Sequence, residues 1–208
     1  MAVLNLATIA ILSGPPHFSN ASRPVRGISN PVLAMEVVRN VNEVDEVLSD
    51  SPSPDREVMR LKQYADFGFI VCYSALFVLL AKLLGARAIA VVGLAGAVCD
   101  MIENIGILRI VDMSLSHTTQ AMIDAIRYPS LVKWALVSLA MGFLSVMALR
   151  TTSKGLRVVG ALNMIAALLG LCGLFDNQFL AWSGLPMLAG FLTLGILYFR
   201  PYYASRRA

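Results

Sequence analysis

Between Tyr64 and Phe199 the apolar residues come in runs too long for the one-sided stripe of a soluble helix, separated by short polar breaks. A helix needs ~20 such residues to cross a hydrocarbon core. Five runs qualify: Tyr64–Leu84, Ala88–Val111, Val132–Ala148, Val158–Phe175 and Phe179–Phe199. The third is short at 17 residues, but Lys133 and Arg150 near its ends can snorkel outward. The breaks Gly85–Arg87 and Asp176–Gln178 are so short that the helices they join must be antiparallel hairpins. The pattern predicts an all-α polytopic bundle with five transmembrane helices. Tyr64, Trp134, Trp182, Tyr198, Tyr202 and Tyr203 fall near their ends, as interfacial anchors do.

Ahead of the bundle the pattern changes. Residues 36–48 place Val37, Val41, Val44 and Leu48 on one face of a helix, with Glu43, Asp45 and Glu46 elsewhere around it. Such a helix can lie on the bundle or on a partner; its acidity argues against an anionic lipid surface. "SDSPSPD" then breaks the chain. Ser53 fits an N-cap, Pro54 the first helical position, and Asp55 and Glu57 the first turn. A helix should therefore start at Pro54 and run without interruption into the first span. Among the connections between spans, Asp112–Leu131 alone is long. Within it Ser116 could cap "HTTQAMIDAIR", whose Ala121, Met122, Ala125 and Ile126 form an apolar stripe, so a separate short helix is expected at the interface. Ser138 with Gly142, and Ala166 with Gly170, set small residues four apart, as closely packed membrane helices do. Pro186 predicts a kink in the fifth span.

The chain divides into a leader (1–34), a polar and partly helical segment (35–63) and the bundle (64–208). The leader has no Asp or Glu, carries Arg23, Arg26 and several serines, and starts apolar, "MAVLNLATIAIL". It reads as a secretory signal or anchor, as a plastid-type transit segment, or as sequence ahead of a true start at Met35. It shares no helical period with the bundle and is expected to be dispensable to the fold. Asn20-Ala21-Ser22 fits a glycosylation sequon.

Composition sharpens the picture. The residues are 57% hydrophobic and only 14% charged, with a mean hydropathy of +0.70; soluble domains are nearer 45–50% and about 25%. The net charge of +4 is spread between apolar runs, without the basic stripe and interleaved aromatics of a nucleic-acid binder. Counted near helix ends, Lys82, Arg87, Arg150, Lys154, Arg157, Arg200, Arg206 and Arg207 outnumber Arg56, Arg60, Lys62, Arg109, Arg127 and Lys133. The positive-inside rule then puts the C-terminus in the cytoplasm, of a bacterial inner membrane or, on the transit-segment reading, of a plastid membrane. Cys72, Cys99 and Cys172 lie in apolar runs without a C-x-x-C pair and read as small packing residues.

The candidate chemistry sits in "CDMIENIG". Asp100, Glu103 and Asn104 are spaced i, i+3, i+4 and share one helix face. A carboxylate at mid-membrane costs ~2.5–3.5 kcal/mol on insertion scales, so the three residues either tie helices together by hydrogen bonds or form a ligand, proton or ion site; two acids and an amide on one face exceed what helix association needs. Two acids one turn apart need a shared proton, a cation, a donor or a watery pocket. Possible neighbours are Asn163 midway along the fourth span, Tyr73 and Ser74 on the first with Asp66 near its outer end, and Ser138 and Ser145 on the third. Lys133 and Arg109, at outer ends, can reach toward Glu103, though such residues more often snorkel to headgroups. The two histidines, His17 and His117, lie outside the spans, which excludes a His-rich metal site. There is no H-E-x-x-H, G-x-S-x-G, P-loop or dinucleotide fingerprint.

"DMIENIGIL", followed by "VKWALV" at a helix start, resembles a pattern in small bacterial multi-pass membrane proteins of no assigned function. The resemblance spans Tyr64–Phe199, matches Asp100, Glu103, Asn104 and Lys133, and implies no activity. Three functions follow from the residues. One is a membrane protein whose acidic intramembrane site binds or conducts a proton, a small cation or a small amphiphile. Another is a lipid-modifying enzyme with a carboxyl acid/base. The third is a non-catalytic subunit whose acidic face meets another protein; oligomers are compatible with any of these. A cofactor is not indicated.

Overall fold

A computed structural model describes residues 14–19 and 24–205, with the side chains of Leu83, Phe191 and residues 198–205 outside that description. The apolar start, the Asn20 sequon, Arg23, Arg206 and Arg207 lie outside the described residues. The described chain is helical: α1 Pro31–Glu36, α2 Val41–Leu48, α3 Pro54–Leu84, α4 Arg87–Val111, α5 Gln120–Leu149, α6 Lys154–Cys172 and α7 Gln178–Ser205, with a 3-10 turn at Leu115–His117. Four of them, α3 to α6, are long and apolar enough to cross a membrane. In α7 the comparable stretch, Gln178–Leu194, is shorter. Each long helix packs chiefly on its neighbours in the chain, so the bundle runs up and down in sequence order.

Local sequence explains most boundaries. Ser53 accepts a hydrogen bond from Asp55 N, Pro54 opens α3, and the helix continues through the first predicted span as expected. Gly85 ends it in the left-handed region (φ +66°), where a Cβ would strain, and Ala86 N–H closes back on Ala81 O. A two-residue break then reverses the chain into α4.

The long connection before the third span is organised differently from expectation. The interfacial helix and the third span are one helix, α5, capped by Thr119 rather than Ser116. Pro129 lies inside it. It removes one backbone donor, yet the inward stripe Ile123, Ile126, Ser130, Lys133 passes through at steps of three and four. The bundle-facing period thus outweighs one lost bond. Ala121 and Ala125, expected on the apolar stripe, are exposed. The helix expected over 36–48 is shorter: α1 ends at Glu36, leaving Val37 outside a helix, and Asn40 caps α2 by accepting from Glu43 N. The fourth span ends at Cys172, and Phe175 stands fully out. α7 is continuous through Pro186.

Two apolar cores result. One lies among α3 to α6, around Tyr73, Phe77, Ala97, Ala140 and Ala166. There Ser138 meets Gly170, one residue from each predicted small-residue pair, and Gly142 faces Ala167, next to the expected Ala166. The second core closes one end of the bundle. Val44, Val47 and Leu48 of α2 and Met35 of α1 pack with Met59, Ile107, Ile110, Ile123, Ile126 and Leu180. It also contains Val25, Ile28 and Ala34, at most 2% exposed. Residues 24–34 thus supply apolar side chains that this end of the bundle buries, which argues against the expectation that the leader is dispensable.

The α6–α7 turn is held by close approach. A Cβ on Gly173 would stand 2.4 Å from Leu180 Cδ2 and 2.9 Å from Leu180 N. Because backbone cannot swing aside, Gly173→Ala should lower stability by about 1–3 kcal/mol. Gly68→Ala, with nothing within 4 Å, should stay within about 0.5 kcal/mol. Thermal unfolding of both variants in detergent checks the contrast.

Candidate functional site

The inward face of α4 carries Asp100, Glu103 and Asn104, all buried. α5 brings Lys133 opposite them, near the middle of the helix and 7% exposed. Its Nζ lies 3.1 Å from Asp100 Oδ1, 2.7 Å from Glu103 Oε2 and 2.9 Å from Glu36 Oε2. An ammonium has three donors, and here three carboxylates surround it. Lys133 therefore does not snorkel: the continuation of α5 past Pro129 turns a predicted helix end into an interior position, and the acids of α4 hold the side chain inward.

Each acid has a further donor. Tyr73 Oη on α3 donates to Asp100 Oδ2 at 2.9 Å. Ser130 Oγ donates to Glu103 Oε2 at 2.6 Å. Trp134 Nε1 donates to Glu36 Oε2 at 2.7 Å. Asn104 Nδ2 donates to Asp66 Oδ2 on α3 at 2.8 Å, which brings in a fourth carboxyl. A cavity of about 280 Å³ opens beside the cluster. Glu36, Asp66, Asp100 and Lys133 line it together with the apolar Phe69, Phe77, Met141 and Met187.

Of the residues singled out in the sequence, Asp100, Glu103, Asn104, Lys133 and Tyr73 come together here. Asn163 does not: it lines an adjoining cavity of about 80 Å³ that shares Tyr73, Phe77 and Met141 with the first, and its Oδ1 has no hydrogen-bond partner among the described residues. Arg109 is exposed on α4 and takes no part. Glu36, Ser130 and Trp134 were not anticipated as site residues, and Asp66 only as a polar neighbour. Ser130 was findable: it lies three residues before Lys133, on the same face. Glu36 had no local signal, since it is one acid at the edge of an acidic segment. Among the described residues no group of His, Cys, Asp and Glu is arranged to hold a metal ion.

Glu36 lies outside the spanning helices, and burial pushes its carboxyl above the ordinary glutamate range. Lys133 opposes this shift, Asp100 adds to it, and the hydrogen bonds from Lys133 and Trp134 oppose it. The folded protein thus keeps a proton on Glu36 at pH values where the unfolded chain has lost it. Stability contributed by this group falls as pH rises through that window. Glu36→Gln, which can still accept from Trp134, should flatten this part of the melting-temperature profile against pH. An unchanged slope between wild type and variant would contradict the assignment.

The fold and the cluster together define a helical bundle with four membrane-length apolar helices and a buried carboxylate–ammonium network. No protein-family model, curated protein or solved structure matches the chain.

Proposed function

We propose that this chain is an integral membrane protein that binds a small amphiphile or cation in the cavity beside the Lys133 cluster. The observation that carries the reading is the lining of that cavity: four charged side chains, Glu36, Asp66, Asp100 and Lys133, share it with a larger set of apolar and aromatic ones, as a ligand pocket requires. The acidic face of α4 points inward rather than to lipid, and Lys133 of the same chain meets it. Both facts favour an internal site over a surface for a partner subunit. On this reading α7 makes a fifth crossing and the C-terminus is cytoplasmic, as the Lys and Arg distribution favours. The motif resemblance favours a bacterial inner membrane.

Native mass spectrometry of the purified full chain tests the reading. The wild type should retain a bound small molecule or lipid that Asp100→Asn loses, while both variants melt at similar temperatures. Bare protein in both spectra, or the same adduct in both, would count against a site at Asp100.

A further inference from the structure

We infer that the cavity's ligand is a lipophilic organic monocation, an amine or quaternary ammonium on a short apolar body, held by Asp66 and a ladder of aromatic rings on α3. This rests on the reading of the cavity as a binding site and names its ligand class.

The charge arrangement comes first. Lys133 is shared by Glu36, Asp100 and Glu103. Asp66 stands outside that set; its hydrogen bond among the described residues comes from the Asn104 amide. An amide satisfies lone pairs but supplies no charge. Asp66 lines the cavity and is only partly buried, so its carboxylate is within a ligand's reach. An anionic head entering here would face that carboxylate, while the ammonium at the cavity is already divided among three acids. A cationic head would give Asp66 an ion pair in direct contact, which Lys133 makes with the other three acids.

The second observation is the spacing of Asp66, Phe69, Tyr73 and Phe77. Steps of three, four and four keep all four on one face of α3, and all four line the cavity. Successive rings are inclined to each other, Phe69 to Tyr73 at 62° with centroids 5.3 Å apart and Tyr73 to Phe77 at 82° and 6.0 Å. Trp134 lines the same cavity from α5. Organic cations are drawn to aromatic rings by the ring quadrupole, and more strongly where water is excluded. Met141 and Met187, flexible and polarisable, complete a wall that can fit apolar bodies of different shape. Ordinary core packing needs neither the half-open carboxylate nor the empty volume beside these rings.

The test uses the full chain in nanodiscs of zwitterionic lipid with three probes of similar length: hexyltrimethylammonium, hexanoate and 1-hexanol. Binding is read from melting temperature and from tryptophan fluorescence, because Trp134 lines the cavity. Hexyltrimethylammonium should bind saturably and raise the melting temperature, with the other two weaker by about tenfold or more. Asp66→Asn should lose about tenfold in affinity for the cation, and Phe77→Leu a smaller factor of about three. Each variant's melting temperature without probe shows whether it folds. If Asp66→Asn does not fold, Phe77→Leu and the probe comparison on wild type still decide. Equal binding of hexanol or hexanoate, or undiminished cation binding by folded Asp66→Asn, would overturn the cation proposal and leave a binding site standing. No saturable binding of any probe would overturn both.

Discussion

Lys133→Met is expected to destabilise the bundle by about 3–5 kcal/mol, the range for removing one partner from a buried ionic network. Methionine matches the length of the lysine stem, so the loss is electrostatic rather than a cavity. What remains is three carboxyls, from α1, α4 and the same face of α4 again, gathered around a thioether. Replacing an acid should cost far less. Asp100→Asn still offers an oxygen to Tyr73 and leaves Lys133 two carboxylates. The network is therefore asymmetric: one base without a substitute, and several acids each of which has one. A double-mutant cycle on melting in detergent measures this. Lys133→Met should be severe alone and partly relieved when combined with Asp100→Asn, with a coupling of about 0.5–3 kcal/mol. Additive effects would mean that Asp100 and Lys133 do not share a network.

Removing residues 1–34 should cost a further large increment, about 3–6 kcal/mol from the burial of Val25 and Ile28 alone, at ~1.5–3 kcal/mol per side chain. These two residues bond each other reciprocally across the turn Arg26–Gly27, both in the left-handed region, with Val25 N to Ile28 O at 3.1 Å and Ile28 N to Val25 O at 2.9 Å. Gly27 suits that turn, and a Cβ there would also collide with Gln178. Arg26 forms two hydrogen bonds to Glu43, which ties the turn to α2. A chain starting at Met35 would lack Val25, Ile28 and Ala34 from the core that also holds Ile110, Ile126 and Leu180. Its melting temperature should fall by many degrees, and the double variant Val25→Ala, Ile28→Ala in the full chain should reproduce much of the fall. A truncated chain as stable as the full one would show that this packing contributes nothing.

The sequence carried the bundle and half of the site, for physical reasons. Long apolar runs and the Ser53–Pro54 start are local signals, and α3 and α4 follow them closely. The i, i+3, i+4 spacing placed Asp100, Glu103 and Asn104 on one face before any neighbour was known. Lys133 was matched but misplaced, because Pro129 invites a helix break and a lysine next to a break reads as an interfacial anchor. The unbroken inward stripe from Ile123 to Lys133 was the stronger signal. Glu36 was illegible because its value comes from a contact 97 residues away. The leader was undervalued for a similar reason: a two-residue turn with one valine and one isoleucine has no period to detect, and its burial is visible only once α2 and the end of α4 are in place.

The single base of the network also constrains how the chain enters a bilayer. During synthesis α3 and α4 emerge before α5, so Asp66, Asp100 and Glu103 are made before the lysine that three acids of the site share. An α3–α4 hairpin released alone into lipid would carry three carboxyls through the bilayer without a counter-charge. In a bilayer α3, α4 and α5 are therefore expected to be more stable inserted together than α3 and α4 alone, because Lys133 brings the counter-charge to the acids of α4.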